Sequence, residues 1–127
     1  MNKQKFSLKK RLKSFIYAFH GLCYLIKNEH NARIHLLAAV CVVIAGFCFK
    51  ISVLEWIIVT FACGIVIVTE IFNSSIERLA DLITKDKNLR IKELKDLSAA
   101  AVFVAAIVAA IIGLIIFVPY LINIFKL

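Results

Sequence analysis

The sequence predicts an all-α integral membrane protein, in which three transmembrane helices follow an N-terminal amphipathic helix lying on the membrane surface. Three observations support this. Of the 127 residues 62% are hydrophobic, and the mean hydropathy of +0.92 is too high for a soluble domain of this size. Residues 34–49, 53–69 and 97–125 form long apolar runs, interrupted by His35 in the first and Glu55 near the start of the second, with no charge in the third. The basic residues that make up most of the +8 net charge cluster in residues 1–33 and 84–96, leaving Lys50, Arg78 and Lys126 elsewhere. The positive-inside rule then places the N-terminus and the 84–96 segment in the cytoplasm and the C-terminus outside.

One domain over residues 1–127 accommodates these elements: a surface helix at about 6–28 and spans at about 32–50, 53–83 and 96–124. Residues 1–13 are a basic tail, with Lys3, Lys5, Lys9, Lys10, Arg11 and Lys13, suited to orientation and to anionic lipid rather than to nucleic acid. Leu12, Phe15, Ile16, Phe19, Leu22, Cys23 and Ile26 recur at helical spacing, with cations on the flanks, as expected of a helix in the cytoplasmic interface. Gly21 within it suggests close approach by another helix or a ligand. Asn28 to His35 makes the corner into the first span, where Glu29 and Arg33 stand at i,i+4 spacing for a salt bridge. Residues 50–54 form a short external turn, so the first two spans are antiparallel neighbours. Trp56 and Tyr120 fall at the outer interface.

The second span runs past the membrane surface to about Ile83, and a polar loop, 84–95, follows, able to carry some helix and to turn at its Asp86-Lys87-Asn88 tip. Lys95 and Asp96 open the third span, where an aspartate in the first turn suits the helix dipole. Ser98, Ala99, Ala100 and Ala101 then let a neighbouring helix approach closely. Pro119 is expected to kink or end the last helix. Cys23, Cys41, Cys48 and Cys63 form no C-x-x-C pair and read as small apolar filler. The N-terminus is too rich in internal charge for a cleaved signal peptide.

Function is most legible in residues 69–81, T-E-I-F-N-S-S-I-E-R-L-A-D. Glu70, Asn73, Glu77 and Asp81 share one stripe of a helix, with Glu70 and Glu77 roughly 10 Å apart along its axis. Carboxylates at the end of a spanning helix are expensive and mark function. With Glu29, Arg33, Lys95 and Asp96 at the same membrane edge, acids outnumber what structural pairing requires. Such acids must bind cations, share protons or pair with lysines. Oxygen ligands suit Mg²⁺, nearby lysines suit polyphosphate, and a further carboxylate suits proton abstraction from an alcohol. Together they make phosphoryl transfer from a nucleotide possible, although neither a Walker A sequence nor a kinase glycine-rich loop is present. A small cation-coupled exporter would also need membrane glutamates, but near the bilayer midplane rather than at one edge. A non-catalytic assembly protein would not need so many acids in register.

Three blocks carry a resemblance over nearly the whole chain: E-x-x-N-S-S-I-E-x-x-x-D at 70–81, K-D-x-S-A-A-A-V at 95–102 and N-E-x-N-x-R at 28–33. In order and spacing they resemble the prokaryotic membrane diacylglycerol kinase family, which includes the undecaprenol kinases. The resemblance implies a homotrimer with active sites shared between subunits, in the inner membrane of a bacterial cell. It implies that ATP and Mg²⁺ are used to phosphorylate a lipid alcohol at the cytoplasmic face. It implies Glu70 as general base and Glu29 and Glu77 as metal ligands. Lys95, Asp96, Tyr17 and the loop tip Asp86, Lys87 and Asn88 would contact nucleotide, as would Glu29 and Glu77, with Lys10 standing where the family often has arginine. Asn73, Arg33, His35 and Ser98 would position substrate. His35 is similar to the undecaprenol kinase branch, with diacylglycerol the alternative lipid.

Overall fold

A computed structural model describes residues 6–126. Lys3 and Lys5 of the basic tail lie outside the described residues. Among the described residues the chain is four α-helices: α1 (Leu8–Asn28), α2 (His30–Phe49), α3 (Val53–Ile83) and α4 (Leu89–Phe125). The last three are long and apolar enough to cross a membrane. At 1.5 Å per residue α2 is about 30 Å long, one hydrocarbon thickness, while α3 and α4 reach about 46 and 55 Å and overrun it.

Each boundary has a local cause. Glu29 alone separates α1 from α2, in an extended conformation at φ −113° and ψ 113°. Arg33 closes this corner by donating to the carbonyls of Ile26 (2.6 Å) and Lys27, which α1 would otherwise leave without partners. The expected Glu29–Arg33 salt bridge is therefore replaced: the Arg33 amide still donates to the Glu29 carbonyl, but Glu29 is an extended cap whose side chain leaves the helical stripe, and the Arg33 guanidinium is taken by the corner carbonyls. Among the described residues nothing beyond its own helix backbone and chain neighbours comes within 4 Å of a side-chain position at Gly21, so the close approach inferred there does not occur among them.

Lys50 adopts the left-handed conformation, φ 52°, and the amides of Lys50 and Ile51 return to Phe47 and Gly46 to end α2. Ser52 and Glu55 then form a reciprocal capping box that starts α3. Tyr120 on α4 donates a 2.7 Å hydrogen bond to the same Glu55 carboxylate. Phe49 stacks on Tyr120 at 5.8 Å and meets Phe117 at 6.0 Å, above a small core of Ile51, Val59 and Ile116. This end of the bundle is thus tied by all three spanning helices. Pro119 does not end α4, which continues to Phe125.

Gly46 sits directly under the Trp56 indole. A Cβ there would lie 2.6 Å from Cη2 and 2.8 Å from Cζ2 of that ring, which is itself set against Phe47 at 4.8 Å. Gly46→Ala should therefore destabilise the protein by about 1–2 kcal/mol, overpacking outweighing the gain in helix propensity. Thermal unfolding in detergent checks this, and an unchanged or raised midpoint would refute it.

The other end begins differently from the sequence expectation. Asn88 accepts from the amides of Arg90 and Ile91 and starts α4 at Leu89. The polar connection shrinks to residues 84–88, and Asp96 lies two turns inside α4 rather than in its first turn. Along α4 only one face packs against α3: Ser98, Val102 and Ala105 are buried, whereas Ala99, Ala100 and Ala101 turn outward.

Candidate functional site

The polar stripe of α3 forms a file that runs from the apolar interior to an open groove. At its inner end Glu70 is 2% exposed. Among the described residues its Oε2 has no hydrogen-bond partner: His35 Nε2 is 3.9 Å away, beyond hydrogen-bonding distance. Leaving a buried carboxylate oxygen unpaired costs about 1–3 kcal/mol or more, a cost that packing alone gives no reason to retain. Glu77 follows Glu70 two turns later on the same stripe of α3, and Glu29 stands at the α1–α2 corner.

His35 lies between two cavities. A small one of about 50 Å³ is enclosed by Leu22, Leu25 and Ile26 of α1, Ala32, His35 and Leu36 of α2, and Ile67 and Glu70 of α3. A larger one of about 220 Å³ runs between α2, α3 and α4, lined almost wholly by alanine, valine and other small apolar side chains. The small residues on the three facing helices open this slot, which reaches His35.

One turn beyond Glu70, Asn73 is buried, and Ser98 Oγ lies 2.8 Å from its Oδ1 and 2.9 Å from the Lys95 carbonyl. The single hydroxyl proton is divided between these acceptors and holds the amide across the α3–α4 seam. Ser74 beside it is buried with its hydroxyl unpaired.

A turn further, Glu77 is half-buried and enters a groove of about 790 Å³ between the end of α3, the 84–88 connection and the start of α4. The groove is lined by Glu77, Asp81, Asp86 and Asp96 and by Lys85, Lys87, Lys92 and Lys95, with Asn88 and Thr84 between them. Equal numbers of acids and lysines suit a polyanion that arrives with a cation: lysines for the oxygens, carboxylates for the metal. Two of these lysines are already paired, Lys95 with Asp81 at 2.9 Å and Lys92 with Asp96 at 2.6 Å.

Of the residues expected to contact nucleotide, Glu77, Asp86, Lys87, Asn88, Lys95 and Asp96 thus share one groove. Lys10 and Tyr17 do not line it; both are exposed on α1. Glu29 stands at the α1–α2 corner, where Arg78 Nη2 approaches its Oε1 at 3.8 Å. Arg33, expected near substrate, has its guanidinium on the corner carbonyls. Sequence reasoning missed Arg78, although an arginine beside a registered row of acids was a visible signal. It also missed the Glu55–Tyr120 bond, which joins positions 65 residues apart.

Among the described residues no three acids, histidines or cysteines stand close enough to cage a metal ion. Mg²⁺ does not need such a cage: it characteristically takes one or two carboxylates, waters and substrate phosphates. Glu77 in the groove and Glu29 at the α1–α2 corner are carboxylates of that kind.

Comparisons with known proteins agree in one direction. The family model described as prokaryotic diacylglycerol kinase matches residues 16–117. The chain is 39% identical over 114 residues to an undecaprenol kinase of Bacillus subtilis (strain 168), covering 90% of this chain and 93% of that protein. It is 29% identical over 113 residues to a diacylglycerol kinase of Synechocystis sp., covering 88% of this chain and 65% of the relative. To a diacylglycerol kinase of Helicobacter pylori (strain 26695) it is 32% identical over 100 residues, covering 78% and 77%.

Proposed function

The chain belongs to the prokaryotic diacylglycerol kinase family, and from that premise we propose that it phosphorylates undecaprenol with MgATP at the cytoplasmic face of a bacterial membrane. It is a membrane lipid kinase, a phosphotransferase with a nucleotide co-substrate. The observation that carries the reading of the site is the buried, unpartnered Glu70 Oε2 beside His35, between an apolar slot and a charged groove.

In this reading the lipid chain lies along the small-residue slot and brings its hydroxyl to Glu70. The Glu70 carboxylate takes the hydroxyl proton as the hydroxyl oxygen attacks the γ-phosphorus. The bond from that phosphorus to the bridging oxygen breaks, and ADP leaves with the electron pair. Asn73, fixed by Ser98, orients the transferring group, and the groove lysines hold the remaining phosphates. Glu29 and Glu77 would hold Mg²⁺, which when bound offsets the charge on the phosphate oxygens. A low-dielectric setting strengthens each of these interactions.

Undecaprenol is the proposed acceptor because the relative named for it shares more of this sequence than the diacylglycerol kinases do. His35 is the residue of this chain beside Glu70. The N-terminus and the 84–88 connection face the cytoplasm on charge grounds. A homotrimer with shared sites completes the reading. The apolar side chains of Val53, Ile57, Phe61 and Val68 stand exposed along one face of α3, around a groove that includes Thr60 and Gly64 and offers close helix approach.

Purified protein should transfer phosphate from MgATP to undecaprenol faster than to diacylglycerol in parallel assays. A preference for diacylglycerol would overturn the acceptor, and no transfer to either would overturn the kinase reading.

A further inference from the structure

Arg78 sits on α3 immediately after Glu77, yet it leaves the groove side and reaches α1 and the α1–α2 corner. Its guanidinium carbon lies 3.9 Å from the centroid of the Tyr24 ring, and its Nη2 lies 3.8 Å from Glu29 Oε1. The first contact is a close cation–π stack. The second is too long for a hydrogen bond, so the Glu29 oxygens keep their lone pairs while the nearby charge holds the carboxylate in place. Arg33 fastens the end of α1 to α2, but little ties this corner to α3: α1 buries only Leu25, and Glu29 occupies an extended one-residue break between two helices. The Arg78 contacts supply that tie.

We propose that Arg78, stacked on Tyr24, is a positioning residue: it pins the surface helix to α3 and so holds the Glu29 carboxylate on the side of Glu70 and Glu77. The proposal rests on the lipid kinase reading for what Glu29 then does, but not for the clamp itself. Both anchors are of a kind that a shorter or less planar side chain would not supply. Lysine would keep the charge but lose the flat guanidinium that stacks on the ring.

The test has two arms. In the first, hydrogen–deuterium exchange across residues 20–30 is followed in full-length protein in lipid nanodiscs without nucleotide. Arg78→Ala and Tyr24→Leu should each raise exchange there, Arg78→Lys less, while exchange around the Glu55–Tyr120 end stays as it was. In the second, kinetics with a lipid alcohol should show KM for MgATP raised about tenfold in Arg78→Ala, the lower end of the effect of losing a group that orients a ligand. The change in kcat should be smaller, and Arg78→Lys should recover part of the loss. Unchanged exchange in Arg78→Ala would overturn the clamp. Raised exchange with an unchanged KM would overturn its bearing on Glu29. Absence of phosphotransfer by the unaltered protein would defeat the kinase reading, and the clamp would then stand or fall on the exchange arm.

Discussion

Replacing Glu70 with glutamine is expected to lower turnover by about 10²–10⁴-fold, the range lost with a general base, with little change in the folded protein. The substitution keeps the side-chain shape at a position that is 2% exposed. It removes a charge that the surroundings do not pair, since Oε2 has no partner and His35 is 3.9 Å away. A neutral amide is cheaper to bury than a carboxylate, so stability should hold or rise while chemistry fails. Parallel measurement of thermal unfolding and phosphate transfer separates the two. Retained transfer in a folded Glu70→Gln protein would remove Glu70 from its assigned task.

Glu77→Gln should act on a different quantity. Glu77 is half-buried where the file from Glu70 opens into the charged groove, a place where a carboxylate can meet both a cation and its phosphates. Losing it should raise the Mg²⁺ concentration needed for half-maximal rate by at least about 10–100-fold, the range seen when even an outer partner of a metal ligand is lost. Excess Mg²⁺ should restore part of the rate, which it should not do for Glu70→Gln. A magnesium titration at saturating ATP checks this; an unshifted curve would exclude Glu77 as a ligand.

The residues that set these expectations were visible in the sequence to different degrees, for physical reasons. Glu70, Asn73 and Glu77 lie in one uninterrupted helix, where spacing alone fixes which side chains share a stripe. The same logic misled at Glu29 and Arg33, because Asn28 ends one helix and His30 begins the next. Glu29 is the extended cap of α2, so its side chain leaves the helical stripe although its carbonyl still accepts from the Arg33 amide. The pairing that occurs, Glu29 with Arg78, crosses between elements, as do Ser98 with Asn73 and Tyr120 with Glu55. Hydropathy also favoured a late start for the last helix, since residues 89–95 are too polar to lie in hydrocarbon. Asn88 nonetheless caps the helix there, and helix formation in water needs no apolar surroundings.

The two longest helices are fastened unequally. Beside Glu55 they meet through a 2.7 Å hydrogen bond from Tyr120, whose ring is also stacked on Phe49 of α2. At the charged groove they are joined by the Lys95–Asp81 pair, whose side chains are 36% and 62% exposed, and exposed pairs of this kind contribute only about 0–1 kcal/mol. An anion that competes for Lys95 therefore displaces little more than this exposed pair, while the buried Ser98–Asn73 hydrogen bond one turn further in keeps the seam between the helices closed.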